Sequence, residues 1–282
     1  MATPSEHAKR HHYLPVFYLA EFSDTGERDG ALFVVDKEDA KVFVTNPSNV
    51  ACETHMNTID LPGLPPDWIE RVLDEERYVY ALRCAISGTR LDESAISTDL
   101  AWFVALLFSR GPTARETLMD EFLGAQPGWL HCGDRHDIRP IFLVETARIL
   151  YTSLLRGSWT RIVVDQRAEP LITCDFPFHL EFEGGDPTRL YLPLSKRVGL
   201  CWQGGRPSDG KTGSTITIGS QWVTELNTLV VGAADRQVYC APCLTDDEDY
   251  LTRLFEECAG PLARSRNAIA RLLSGQPAGG SK

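Results

Sequence analysis

Two adjacent histidines, His11 and His12, are side chains able to move a proton near neutral pH. They run straight into Tyr13-Leu14-Pro15-Val16-Phe17-Tyr18-Leu19-Ala20-Glu21-Phe22. An imidazole held against such an apolar body can act as a general acid or base. Two further patterns carry nitrogen and sulfur ligands, His131-Cys132-Gly133-Asp134-Arg135-His136 and Cys240-Ala241-Pro242-Cys243. Together they supply enough donors for structural zinc. The single C-x-x-C and the distance between the patterns leave ordinary thiols and loop residues as the competing reading.

Other chemistries find less footing. The serine in Pro193-Leu194-Ser195 has no G-x-S-x-G surround of the kind that exposes a hydrolase nucleophile. Gly204-Gly205 and the glycines between 210 and 213 match neither the P-loop nor the dinucleotide-binding spacing. No cofactor is named by any motif.

The elements that must position these residues follow from composition and pattern. Tyr13, Phe17, Tyr18 and Phe22 are too much apolar surface to leave in water, so the arm beginning at Arg10 is expected to dock on the body. Adjacent histidines on an extended arm point to opposite faces. Residues 30–36 and 40–45 read as a hairpin around Lys37-Glu38-Asp39. Helical spacing is expected from Asp67 to Gly88, and again through Leu100, Phe103, Val104, Leu107 and Phe108. The run 101–108 is apolar on every side, as in a core helix. Residues 113–123 continue it, 124–137 read as a loop, and 138–155 as a third long helix with Ile141, Val144, Ile149 and Leu154 in the core. From Gly157 the texture changes to short β-branched and aromatic runs between turn residues, the mark of a mostly antiparallel sheet. Residues 221–231 read as a helix, 237–240 as a last strand, and 246–273 as terminal helices.

The expected fold is therefore α+β, a mostly antiparallel sheet with a helical cluster packed against it. One domain over 1–274 is expected, made of an arm and hairpin (10–66), a helical part (67–156), a sheet part (157–243) and C-terminal helices (244–274). Residues 275–282 read as a disordered tail.

Bulk properties bound the partners. The chain has 282 residues, 43% hydrophobic and 24% charged, which fits an ordinary soluble globular protein. No apolar run approaches the ~20 residues of a membrane span. Met1 to His7 contains no apolar signal core, so a cytoplasmic protein is expected, with no membrane partner. A formal charge of −11 disfavours nonspecific binding to nucleic acid, which rests on basic side chains neutralising phosphates. Arg264, Arg266 and Arg271 read as a solvated helix face, and the eight cysteines as buried thiols. Oligomeric state is not fixed by sequence.

The opening His-His-Tyr-Leu-Pro-Val-Phe-Tyr-Leu-Ala-Glu-Phe resembles that of the largely bacterial domain-of-unknown-function family forty-two thirty-eight. Further matches follow in order from residue 11 to about 240. Glu70 and Glu76 match an E-x5-E-like helix, and Arg110-Gly111-Pro112 ends a phenylalanine-rich helix in an R-x-P element, with Arg115 following. Trp159 precedes Thr173-Cys174-Asp175-Phe176-Pro177, which is similar to the family's T-S-D-N-P turn, and Pro193-Leu194-Ser195 matches a P-L-S element. Asn227, Ala234, Arg236, Val238 and Tyr239 match a late N…A-x-R-x-V-Y pattern. Cys174 and Phe176 depart from the serine and asparagine usual there. The resemblance implies no activity, since the family has none assigned.

The polar residues picked out by these matches are His11, His12, Glu76, Arg110, Asp175 and Ser195. In one reading they converge on a pocket. His11 or His12 works there as acid or base, Glu76 or Asp175 orients it, and Arg110 and Ser195 bind a small anionic or phosphate-bearing substrate. That reading is an enzyme, with hydrolase as its candidate class. A metal variant needs His11, His12, Glu76 and Asp175 to meet. In the other reading the same residues form a buried structural network, and the protein is a noncatalytic ligand-binding or protein-interaction module.

Overall fold

The computed structural model describes residues 10–39, 41–54, 76–89, 94–112, 135–183, 186–205 and 213–242, with backbone alone at 94–95, 135–142 and 186. The architecture is α+β. A two-stranded ribbon pairs β1 (Arg10–His12) antiparallel with β4 (Cys52–Thr54). A four-stranded antiparallel sheet has the order β3-β2-β11-β6, from β2 (Leu32–Asp36), β3 (Lys41–Thr45), β6 (Thr173–Cys174) and β11 (Gln237–Cys240). A five-stranded sheet has the order β10-β5-β9-β8-β7. Its strands are β5 (Ser158–Val164), β7 (His179–Glu183), β8 (Asp186–Ser195), β9 (Val198–Gln203) and β10 (Ser214–Ile218). The pair β10–β5 is parallel, against an otherwise antiparallel pattern.

Alternation along each strand splits the core in two. Leu190, Leu192, Leu194, Val198, Leu200 and Trp202 face one side, where they join Leu32, Val34 and Tyr239 of the smaller sheet. Against this side pack α1 (Val16–Ala20), α2 (Glu76–Ser87), α3 (Ser94–Arg110) and α4 (Arg135–Leu154). Ile162, Val164, Tyr191, Cys201, Val238 and Cys240 face the other side, and α5 (Ser220–Ala233) covers them with Val223, Leu226, Leu229 and Val230. Both sheets are thus apolar on both faces, which is why their strands read as continuous apolar runs.

The run Ala101 to Phe108 is a core helix, as its all-round apolarity requires. The docked arm buries Tyr13, Leu14, Tyr18, Leu19 and Phe22, with Phe17 stacked on Phe103 of α3 at 5.8 Å. One expectation is corrected in α4. Ile149 is 71% exposed, and the buried stripe is Leu143, Ala147, Leu150 and Leu154. Spacings of four, three and four residues keep that stripe on one face, and Ile149 lies about 100° away from it. Of the apolar run 170–174, among the short runs that follow Gly157, only Thr173–Cys174 pairs as a strand. Residues 135–137 are helix instead of loop.

Several expectations lie outside the described residues: the helix start at Asp67 and Glu70, residues 113–123, the ligands His131, Cys132 and Cys243, most of the glycine-rich loop, and everything from 243 onward. No helix among the described residues is long and apolar enough to cross a membrane.

Candidate functional site

The opening arm is where the predicted residues begin. On β1, His11 is buried and pairs across the ribbon with Glu53, and His12 is half-buried and pairs with Cys52. The Tyr13 N–H donates to Ala51 O at 2.9 Å, so Tyr13–Ala51 is a hydrogen-bonded pair. By alternation His12–Cys52 is a non-hydrogen-bonded pair, the geometry that brings opposite side chains closest. His12 Nδ1 lies 3.1 Å from Val50 O. A carbonyl only accepts, so Nδ1 carries a proton in this contact. The Arg110 guanidinium donates to His12 O. Arg110 ends α3, and its reach back to the arm is what the R-x-P element accomplishes here.

Asp175 is also buried, 2% exposed, and its carboxylate is taken up by backbone. Oδ1 accepts from Asp235 N–H at 2.8 Å, and Oδ2 accepts from Arg236 N–H at 2.6 Å and Gln237 N–H at 2.7 Å. Burial pushes its pKa above the ordinary carboxylate range, the three N–H donors oppose that, and the charge of Asp235 adds to the rise. Asp175 therefore splices β6 to the start of β11.

From there a relay of hydrogen bonds crosses the four-stranded sheet. The Tyr13 and Tyr239 hydroxyls influence each other's ionisation, and Tyr239 Oη donates to Gln237 Oε1 at 3.0 Å. Gln237 Nε2 donates to Asp36 Oδ2 at 2.9 Å, which also accepts from Arg236 Nε at 2.8 Å. Burial alone would raise the Asp36 pKa. The bonds from Gln237, the Asp39 N–H and Arg236 outweigh it and bring the value to about 2. Burial drives both tyrosine hydroxyls well above their ordinary range.

Ser195 sits elsewhere, at the β8–β9 turn. Its Oγ accepts from Arg197 N–H at 3.3 Å and Val198 N–H at 3.1 Å, the bonding of a serine that shapes a turn. Glu76 stands exposed on the first turn of α2, where an acidic side chain suits the helix dipole. The structure brings His12 and Arg110 into direct contact, and the charge of Asp175 adds to the rise of the Tyr13 pKa. Glu76 and Ser195 are not part of that group. Among the described residues no three His, Cys, Asp or Glu side chains form a group that could hold a metal ion.

One web nonetheless links the matched motifs. Tyr18 of the opening donates to Pro193 O and accepts from Thr173 Oγ1, both at 2.8 Å, joining the arm to the P-L-S and T-x-D-x-P elements. Asn227 on α5 accepts from Ile172 N–H at 3.1 Å and donates to Pro170 O at 3.0 Å, holding the approach to β6. Phe176 packs on Phe108 and Phe178 with ring centres 5.4 and 5.5 Å away. A Cβ on Gly111 would stand 2.7 Å from the Phe176 ring. Residues 109–111 and 173–178 thus pack as one unit.

Sequence reasoning missed Cys52, whose Sγ takes a hydrogen bond from Arg10 Nη2 at 2.8 Å, the same nitrogen reaching Asn49 O at 3.0 Å. Nothing in the sequence around Cys52 marks a strand opposite His12. Ala51, between Val50 and Cys52, is the one non-glycine among the described residues with φ in the left-handed region, at 50°. Gln237 and Asp36 were also missed, since only the register of β2 and β11 aligns them.

A buried polar web inside an α+β frame, drawn from the arm, a helix end and three turns, defines a protein held together by its shared motifs. The family model described as protein of unknown function (DUF4238) matches residues 10–242, and the chain belongs to that family. No curated protein and no solved structure gives a match.

Proposed function

We propose that this chain is a noncatalytic protein-interaction module whose shared polar residues lock its N-terminal arm and sheet together. The observation that carries the reading is Asp175, which holds three backbone N–H groups with its two carboxylate oxygens and so has no reason to be sought in substrate chemistry. Ser195 and Asn227 are engaged with backbone in the same way. Arg110 supports it too, because its guanidinium is directed at the arm's own carbonyl. Removing one partner of such bonds leaves a buried group unsatisfied, the costly direction of change.

A second reading has one specific support. The His12 imidazole stands opposite Cys52 across the ribbon, and the Arg10 guanidinium lies against Sγ. A thiol, a base and a cation on one face are the parts of a cysteine-nucleophile hydrolase acting on an anionic ester.

The experiment is a set of three variants, His12→Ala, Cys52→Ala and Asp175→Ala. Each is melted and assayed against activated esters and a panel of anionic metabolites and metal ions. The module reading expects a lower melting temperature for Asp175→Ala and no turnover from wild type. Ester turnover by wild type that vanishes in Cys52→Ala and His12→Ala at unchanged melting temperature would establish the hydrolase instead.

A further inference from the structure

We infer that β3 is the edge through which two copies of this chain pair, antiparallel about a two-fold axis at Phe43. The inference rests on the interaction-module reading and names its partner. Among the described residues β3 is the last strand of its sheet, paired with β2 on one side and with no strand on the other. Its backbone N–H and C=O groups on that side offer a ladder to a further strand. The side chains beside that ladder are apolar on both faces: Val42 is 57% exposed, Phe43 40% and Val44 59%. Soluble proteins protect such edges with charge, proline or a covering element. Lys41, at one end of β3, is the only charge within the strand.

What identifies the partner as a second copy is the fit of this strand to itself. In an antiparallel register centred on Phe43, Val42 of each copy faces Val44 of the other, Phe43 faces Phe43, and Lys41 faces Thr45. Every apolar residue meets an apolar one, and no like charges stand opposite. Aromatic and β-branched cross-strand pairs of this kind stabilise sheets. The ends complement as well. Glu38 and Asp39, which pair with Arg236 of their own chain at 3.4 and 3.2 Å, would lie beside the 47–49 turn of the other copy, where Arg28 Nε donates to Ser48 Oγ at 2.9 Å. A parallel pairing would instead set Lys41 against Lys41 and the acidic turns together. The antiparallel register works whichever alternate residues of β3 point their backbone outward, because a two-fold axis can pass through either kind of residue pair.

The result is one continuous eight-stranded sheet built from two four-stranded ones, an isologous interface. A single strand pair is small for a stable interface, so the association is concentration-dependent.

The test is sedimentation equilibrium of the full chain up to hundreds of micromolar, for wild type, Val42→Lys, Val44→Glu and the double variant carrying both. Wild type is expected to move from 31.4 kDa toward twice that mass as concentration rises. Each single variant should stay monomeric, because it sets an unpaired charge against a valine. In the double variant residue 42 faces residue 44 on both halves, so lysine meets glutamate twice and the dimer returns. All the substitutions fall on exposed side chains, and far-UV circular dichroism checks that each variant is folded. Monomeric wild type, a dimer indifferent to the single substitutions, or a double variant that stays monomeric would each overturn the pairing. None of these outcomes touches the module reading, which fails separately if turnover is found.

Discussion

Asp175 and Gln237 are bonded to each other in both directions. The Asp175 N–H donates to Gln237 O at 3.0 Å, and the Gln237 N–H donates back to Asp175 Oδ2 at 2.7 Å. This closed pair sits where β6 meets β11, and both Tyr13 and Tyr239 feel the Asp175 charge. The arm, the T-x-D-x-P turn and the last strand are therefore coupled through one buried carboxylate.

Tyr239→Phe removes the hydroxyl that donates to Gln237 and influences Tyr13. The Gln237 amide loses a donor inside the core. A cost of about 1 kcal/mol is expected, seen as a fall of roughly 2–4 °C in melting temperature. Tyr13→Phe should cost less in the double variant than alone, because the two hydroxyls influence each other.

Gly111→Ala places a methyl group against the Phe176 ring, whose nearest carbon would be 2.7 Å away. Overpacking of this kind costs about 1–3 kcal/mol. In a Phe176→Leu background the same change should cost clearly less. Equal costs in the two backgrounds, measured by denaturant unfolding, would mean that the ring is not what excludes a side chain at 111.

Stability should fall on acidification in two stages. Burial lowers the His179 pKa below its ordinary value, with Glu181 opposing. The unfolded chain therefore binds the extra proton first, and stability declines as pH drops below about 6.5. Asp36 is held at about 2 in the folded protein, so its contribution is full above the ordinary carboxylate value and is lost as pH falls toward 2. Asp36→Asn should be less stable at neutral pH and should lack the lower stage in an acid titration of unfolding free energy. A variant curve parallel to wild type below pH 4 would contradict this assignment.

Arg110→Ala frees the carbonyl of His12 from its guanidinium partner. The arm should then open locally more often, with residues 10–14 exchanging amide hydrogen faster than the β5–β9 pair, and limited proteolysis should cut there first. Unchanged exchange in the arm would show that its apolar anchors alone suffice.

How much of this was legible in the sequence differs by the kind of interaction. The arm's docking followed from Tyr13, Tyr18 and Phe22, because burial of large apolar groups is non-directional and can be read from composition. The all-apolar run in α3, the 30–45 hairpin and the α+β class followed from periodicity. Ile149 was misplaced because two candidate apolar stripes on α4 differ by one residue, and only packing chooses between them. Cys52 and the relay from Tyr239 to Asp36 could not be read, because strand register sets them. His12 meets Cys52 and Gln237 meets Asp36 across separations of about 40 and about 200 residues. The six candidate polar residues were found through motif order, which records that residues matter together without recording why. For Asp175 and Ser195 the hydrogen bonds supply a reason that composition could not.

The most direct measurement is amide hydrogen exchange at Asp235, Arg236 and Gln237 in wild type and in Asp175→Asn, read beside the melting temperature. The asparagine keeps the size of the side chain and loses the charge and one acceptor oxygen. If the shared carboxylate is structural, wild type protects all three amides. The variant should then lose protection at the amides that faced the replaced oxygen, and roughly 1.5–3 kcal/mol of stability, the range for hydrogen bonds to a charged group. Full protection and an unchanged melting temperature in Asp175→Asn would contradict the account and return Asp175 to the search for chemistry.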